Sequence, residues 1–249
     1  DYLNRRTNIF SLPSYATNAG EGYVGRGASR YINMTWSNTA TYVFDVKDDH
    51  HFNVMLGQEW VDNQNNGFSV IGRGQSNDKM TTLATGNRGD KPTDDMLEAR
   101  YLSFFARADY NYQNKYYADL SVRSDASSRF GSDSRWGSFW SVGLMWNAKA
   151  EKFLEHIDWL TNAQLAASVG TSGNSSIPAY YHWALAGGGP IYGLGRDVMS
   201  GMAPNSKGNE ELTWEKTMTT NVSLKLGFFD RFNFAAEFYN KKTTDMLME

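Results

Sequence analysis

Tyr101-Leu102-Ser103-Phe104-Phe105-Ala106-Arg107-Ala108-Asp109-Tyr110-Asn111-Tyr112, then Gln113-Asn114-Lys115, then Tyr116-Tyr117-Ala118-Asp119-Leu120-Ser121-Val122-Arg123-Ser124-Asp125, reads as two strands joined by a short turn. In the first half Leu102, Phe104, Ala106, Ala108, Tyr110 and Tyr112 share one side, opposite Ser103, Arg107, Asp109 and Asn111. In the second, Ala118, Leu120 and Val122 stand against Asp119, Ser121, Arg123 and Asp125. Successive side chains of a strand point to opposite faces, so each half has one apolar and one polar face.

The same pattern extends both ways. Segments at 31–44 and 51–60 precede the hairpin, and segments at 136–148, 163–171, 212–228 and 231–239 follow it, making about eight in all. A soluble β-sandwich also alternates, because its strands bury one face. Connection lengths separate the two. Residues 45–50, 113–115 and 229–230 are short joints, whereas 61–100, 126–135 and 172–211 are long and rich in polar residues and glycine. Tight turns at one end and long loops at the other predict an antiparallel transmembrane β-barrel, with the short joints periplasmic and the long ones extracellular. Tyr110, Tyr112, Tyr116, Trp146, Phe228 and Phe232 then fall near the lower membrane interface, and Trp36, Trp60, Trp140 and Trp214 near the upper one, as interfacial aromatic belts require. The competing use of these rings is to fill a sandwich core. Residues 150–160 break the pattern with helical spacing of Phe153, Leu154, Ile157 and Leu160, and predict a short structural helical turn at the periplasmic end.

Composition agrees. The chain has 249 residues, 41% hydrophobic and 14% aromatic, yet its mean hydropathy is −0.55; aromatic and polar residues together suit a wall between lipid and water. A net charge of −3 gives no nucleic-acid footprint, and the absence of cysteine excludes disulfides and thiolate metal sites. No run of about 18 apolar residues exists, which rules out a spanning helix and leaves a barrel open. Asp1 to Arg6 show no signal-peptide pattern, and Asp245 to Glu249 end inside what reads as a strand, so both ends read as cut from something longer.

Several local sequences resemble the barrel of SusC/RagA-type TonB-dependent transporters. Arg123-Ser124-Asp125-Ala126-Ser127-Ser128-Arg129-Phe130-Gly131 is similar to that family's "R-x-D-x-S-S-x-F-G" signature at a strand end. Trp136-Gly137-Ser138-Phe139-Trp140-Ser141-Val142-Gly143, Glu151-Lys152-Phe153-Leu154, Ser168-Val169-Gly170-Thr171-Ser172-Gly173-Asn174, Leu212-Thr213-Trp214-Glu215-Lys216 and Phe238-Tyr239-Asn240-Lys241-Lys242 continue in the family's order. The resemblance implies a barrel of about 22 strands with an N-terminal plug, driven by the TonB-ExbB-ExbD system. It also implies a SusD-like surface lipoprotein as partner, and a glycan, oligosaccharide or peptide as cargo. Neither a plug nor a TonB-contacting segment is read in these residues.

Candidate site residues follow from this scheme. Arg107, Asp109, Asp119, Arg123, Asp125, Glu215, Lys225 and Glu237 occupy the polar faces and are expected to line the lumen or meet the plug, where water makes ion pairing optional. Asp125, Ser127, Ser128, Phe130, Gly131, Trp214 and Glu215 are assigned architectural roles, with Gly131 supplying a positive φ in a rigid turn. Tyr180, Tyr181, His182, Trp183 and Tyr192 are candidate cargo contacts, since rings stack on sugar faces or peptide side chains. They could equally pack against loops or the partner. The Gly-rich 186–190 stretch reads as a flexible loop and not as a phosphate cradle. His50, His51, His156 and His182 are scattered, so no catalytic pair, metal site or cofactor is expected, and a barrel enzyme is the weakest alternative. The other rival is a soluble carbohydrate-binding β-sandwich.

Overall fold

Where one face is apolar and the other polar, the chain forms strand after strand. The computed structural model describes residues 1–14, 21–192 and 199–247. Its strands are β1 (Tyr2–Ser11), β2 (Gly22–Val46), β3 (His50–Gln75), β4 (Arg88–Gly89), β5 (Thr93–Tyr112), β6 (Tyr116–Ser127), β7 (Trp136–Asn147), β8 (Leu160–Asn174), β9 (Ala186–Tyr192), β10 (Met199–Pro204), β11 (Glu215–Phe228) and β12 (Phe232–Thr244). One helical turn, α1 (Lys152–Glu155), lies between β7 and β8. The chain divides into two units: residues 1–35 with 61–100, and residues 36–60 with 101–249.

In the first unit β1 pairs antiparallel with β2 from Tyr2↔Ile32 to Ser11↔Tyr23, and β4 adds to β3. In the second, the sheet order is β2-β3-β5-β6-β7-β8-β11-β12, while β9 and β10 form a separate hairpin. The register of this second unit sorts the side chains. One row runs Asp109, Asp119, Gly143, Ser168, Asn221, Tyr239; the next runs Tyr110, Ala118, Leu144, Ala167, Val222, Phe238 on the opposite face. No second layer packs on that apolar face among the described residues, and Leu144 (59%), Phe238 (71%), Leu120 (49%) and Trp140 (42%) stand exposed. Leaving such side chains in water forfeits about 1.5–3 kcal/mol each. This is the face a lipid hydrocarbon core satisfies, and the sandwich alternative has no core to offer in its place.

Sequence periodicity located the centres of the strands and missed their outer ends. β1 and the first residues of β2 carry no alternation, and the expected loop 61–100 is strand up to Gln75 and again from Thr93. The 26 residues of β3 extend about 85 Å, against roughly 9–11 residues for a tilted strand that crosses a bilayer. Where the two faces of a strand meet like surroundings, nothing selects alternating residues. The expected loop 172–211 contains the β9–β10 hairpin, and the Gly-rich 186–190 stretch is part of β9, with Gly187 opposite Ala203 and Gly188 opposite Met202.

The short joints are built tightly. Phe229 and Asp230 both take positive φ (52° and 54°), as do Gln113 and Asn114 (50° and 53°), the twist a two-residue antiparallel turn needs. Non-glycine residues pay about 1–2 kcal/mol for that conformation. Phe229-Asp230→Asn-Gly is therefore expected to raise barrel stability by about 1 kcal/mol, read as a higher urea midpoint with unchanged slope. An unchanged midpoint would mean that Phe229, 62% exposed, contributes a lipid contact that offsets its strain.

The joint between β7 and β8 is held by charge. Lys149 Nζ donates to the carbonyls of Leu154 (2.9 Å), Glu155 (3.3 Å) and Ile157 (2.9 Å) at the end of the one-turn helix, adding a charged donor where the Leu154 and Ile157 carbonyls already accept from the amides of Ile157 and Leu160. The expected helical turn is thus present but shorter than its pattern, a 3-10 turn at Ala148–Ala150 followed by α1, and Phe153 is exposed. Glu151 accepts from Tyr116 Oη (2.6 Å), Lys115 Nζ (3.2 Å) and Trp146 Nε1 (3.4 Å). The Tyr116 hydroxyl, followed by the Lys115 and Trp146 donors, holds the Glu151 carboxyl below the usual carboxylate range. A depressed folded-state value stabilises above the unfolded value, about 4.3, and that contribution is lost as pH falls through the lower folded value. Acidification below about pH 4 should raise hydrogen exchange at 147–155 in the native protein, while Glu151→Gln should exchange faster at neutral pH and respond little to acid. Identical pH profiles for both proteins would remove Glu151 from this role.

Candidate functional site

Two surfaces gather the candidate residues. The first is the polar face of the sheet. The register places Arg107, Asp109, Asp119, Arg123, Asp125, Glu215, Lys225 and Glu237 all on it. Arg107 Nε donates to Asp109 Oδ1 (2.8 Å), whose other oxygen accepts from Asn53 (3.1 Å). Arg123 is a hub: its Nε reaches Asp125 Oδ1 (2.6 Å), its guanidinium reaches Ser103 Oγ (3.0 Å) and Glu59 Oε1 (3.4 Å), and its Cζ lies 5.4 Å from the centre of the Phe105 ring. Asp125 is 9% exposed, so this ion pair is a local clamp at the end of β6. Asp119 folds over bare Gly143. Glu215 accepts from Asn174 (3.3 Å) and from the Leu247 amide (3.2 Å), and Glu237 accepts from Asn221. Lys225 has no partner among the described residues.

The second surface forms where the segments after β6 and β8 fold together. Phe130 is fully buried and packs with Phe139, Ile177 and Trp214. Trp214 meets Phe130 at 5.2 Å and Phe139 edge-on at 5.5 Å between centroids, and its Nε1 donates to the Arg135 carbonyl (2.9 Å). It therefore does not belong to the upper aromatic belt: it is 5% exposed and lies over Gly137, where a Cβ would sit 2.9 Å from its ring. Ser127 Oγ, completely buried, accepts from the Arg129 amide (3.3 Å), and Ser128 lies in the turn between them. Gly131 is not at positive φ, contrary to expectation. Its reason is room, because a Cβ there would meet the Glu210 carbonyl at 2.9 Å. The signature thus staples Ile177, His182, Glu210 and Trp214 to the end of the β6–β7 hairpin.

The loop aromatics divide on this staple. His182 is 6% exposed, and its Nδ1 must carry the proton it donates to the Arg129 carbonyl (3.0 Å). Tyr180 stacks on Trp183 at 5.3 Å, while Trp183 (55%) and Tyr181 (50%) present rings to the outside. Trp183, His182, Asp133, Arg135 and Glu210 border a cavity of about 260 Å³. Tyr192 ends β9, and its side chain lies outside the described residues. Sequence reading missed Phe105 and Phe139, the rings on the polar face. Consecutive Phe104-Phe105 and Phe139-Trp140, one ring per face, were the available signal, together with Gly57 and Gly137, which make room for them.

The whole chain, residues 1–249, matches the family described as TonB dependent receptor-like, β-barrel. TonB-dependent receptor P3 of Formosa agariphila is 28% identical over 99% of this chain and 25% of its own length. TonB-dependent receptor SusC of Bacteroides thetaiotaomicron is 30% identical over 97% of this chain and 24% of its own length. The solved structure of the RagAB peptide transporter superposes with a TM-score of 0.90 at 32% identity, covering 99% of this chain and 28% of that one. The chain thus spans about a quarter of the length of the relatives it matches.

Proposed function

This chain belongs to the TonB-dependent receptor-like β-barrel family, on its SusC/RagA side, and from that premise we propose that it is an arc of the wall and outer mouth of an outer-membrane nutrient importer. The observation that carries the reading is the register, which puts every candidate charged residue on one face and a continuous apolar row on the other. Lipid covers the apolar face, and the polar face lines a water-filled lumen that the plug occupies. The short joints face the periplasm, and the long segments, including 76–92, 128–135, 175–192 and 199–214, face outward.

Cargo is a peptide or an oligosaccharide, captured with a SusD-like lipoprotein and released inward by TonB-ExbB-ExbD acting on the plug. Exposed Trp183 beside Asp133, Arg135 and Glu210, with exposed Tyr181 near it in sequence, combines stacking planes with both signs of charge, which suits a polar polymer with apolar faces. The chain superposes equally well on the RagAB importer in its "closed-closed" and "open-open" states, with TM-scores of 0.89 and 0.88. That supports a fixed-wall role, with movement located elsewhere.

Uptake by cells expressing or lacking the intact protein tests this, using a labelled peptide digest and labelled oligosaccharides in parallel. Loss of uptake of one class on deletion, and its arrest when the proton gradient is collapsed, is the expected result. Unchanged uptake of both classes with the gradient intact would remove the importer reading.

A further inference from the structure

In the first unit, the face of the β1–β2 pair that includes Ile32 carries three arginines and no carboxylate, from exposed Arg30 to buried Val24 at its far end. Alternation and register put Tyr2, Asn4, Arg6, Asn8 and Phe10 beside Ile32, Arg30, Ala28, Arg26 and Val24. Their face is fixed by β2 itself, on which Ile32, Met34, Trp36, Ala40, Tyr42 and Phe44 follow at even positions, interrupted only by Asn38. In sequence the stripe from Ile32 to Phe44 is long enough for the roughly 9–11 residues with which a strand tilted by about 45°, rising about 2.4 Å per residue, crosses an outer membrane. Arg30 is the first charged residue above that stripe. By the same rise, Arg30, the row of Arg6 and the row of Arg26 stand about 5, 9 and 14 Å above Ile32, the layer of lipid headgroups.

The immediate neighbours do not neutralise the three cations. On β3 the positions that alternate with Gly67 and Ser69, themselves set against Ser29 and Gly27, are Gln64, Asn66, Phe68 and Val70, all uncharged. Arg30 lies over the Tyr2 ring at 5.4 Å, Arg26 bonds Asn8 Oδ1 (2.5 Å) and the Thr81 carbonyl (3.4 Å), and Arg6 has no partner among the described residues. Neutral partners orient the first two guanidinium groups and leave their charge uncompensated. A planar guanidinium offers paired donors that fit phosphate oxygens, and exposed Tyr2 beside Ile32 marks the interface below.

We propose that Arg6, Arg26 and Arg30 bind the phosphate groups of a phosphorylated lipid in the outer leaflet, fixing a specific lipid against the outer wall of this barrel. The proposal rests on the outer-membrane reading above. The test uses the intact membrane protein in phosphatidylcholine nanodiscs doped with bisphosphorylated lipid A, or with the same lipid after enzymatic dephosphorylation. Lipid A retained per protein is counted by native mass spectrometry.

The native protein should retain the phosphorylated lipid well above the dephosphorylated one. R6Q/R26Q/R30Q should lose about tenfold or more of that retention, and R6K/R26K/R30K should stay within about threefold because the charges remain. Should the glutamine variant fail to fold, R6Q alone serves, since Arg6 has no partner among the described residues and its loss should still lower retention severalfold. Equal retention by the native and glutamine proteins overturns the site. Displacement of the lipid by inorganic phosphate, with the same arginine dependence, overturns the lipid as its ligand. A native protein that inserts into nanodiscs and retains both lipids equally sinks this inference alone, whereas one that does not insert overturns the wall reading as well.

Discussion

Trp214→Ala will free the segment between β8 and β11 while leaving the β5–β8 wall intact. Removing a buried tryptophan costs about 3–5 kcal/mol where the site cannot collapse, and here it also leaves the Arg135 carbonyl without its 2.9 Å donor. Phe130, Phe139 and Ile177 would line the resulting void, and the His182–Arg129 bond would lose the packing beneath it. Hydrogen exchange of the intact protein should show protection lost at 175–185 and 205–214 and retained in β6 and β7. Gly131→Ala should do the same to a smaller degree, about 1–3 kcal/mol, because its Cβ meets a backbone carbonyl that cannot turn aside. Protection retained across 175–214 in both variants would show that the staple is dispensable. If cargo binds at Trp183 and Tyr181, uptake should fall with the loss of protection.

Lysine substitutions at one depth on opposite faces should have opposite fates. Leu144 and Ser168 sit in adjacent rungs of the β7–β8 ladder, on the apolar and polar faces respectively. Leu144→Lys should cost about 2–4 kcal/mol near the bilayer midplane, read as a lower urea midpoint and a smaller folded fraction in lipid. Ser168→Lys sets its ammonium on the polar face near Asp119, and should be close to neutral. If Ser168→Lys is the more damaging, the faces have been assigned the wrong way round.

The sequence was informative wherever solvent on the two sides of a strand differed. Leu120 against Asp119, Val122 against Arg123 and Leu144 against Gly143 belong to opposite faces in any register that keeps their strands straight, so the face of every charged candidate could be read before any pairing was known. Tyr2–Ser11, the outer reach of β3 and the start of β5 were illegible because their apolar and polar residues do not alternate. Their strand character comes from pairing with neighbours distant in sequence, such as Tyr2 with Ile32 and Ser11 with Tyr23.

The residues on the outer side show the same limit. Trp214, read by alternation, joins an interfacial belt; in three dimensions it leaves the ladder just before β11 and closes over Gly137. Gly131 looks like a turn glycine and is a glycine of close approach. His182 and Trp183 are adjacent in sequence, yet one is buried and holds a carbonyl while the other faces outward.

By itself, then, the sequence determined that the chain is an antiparallel wall with one lipid-compatible face, which face each strand residue takes, and where its tight turns lie. A period of two and a short turn are local properties, set by neighbours along the chain. Only the tertiary structure decided how far the strands continue past the bilayer, how the R-x-D-x-S-S-x-F-G segment fastens a loop some 80 residues away, and which aromatic rings remain free to meet a ligand. Those outcomes depend on packing between segments remote in sequence, where volume, a carbonyl's direction or the absence of one Cβ selects the partner, and none of these leaves a periodic mark on the chain.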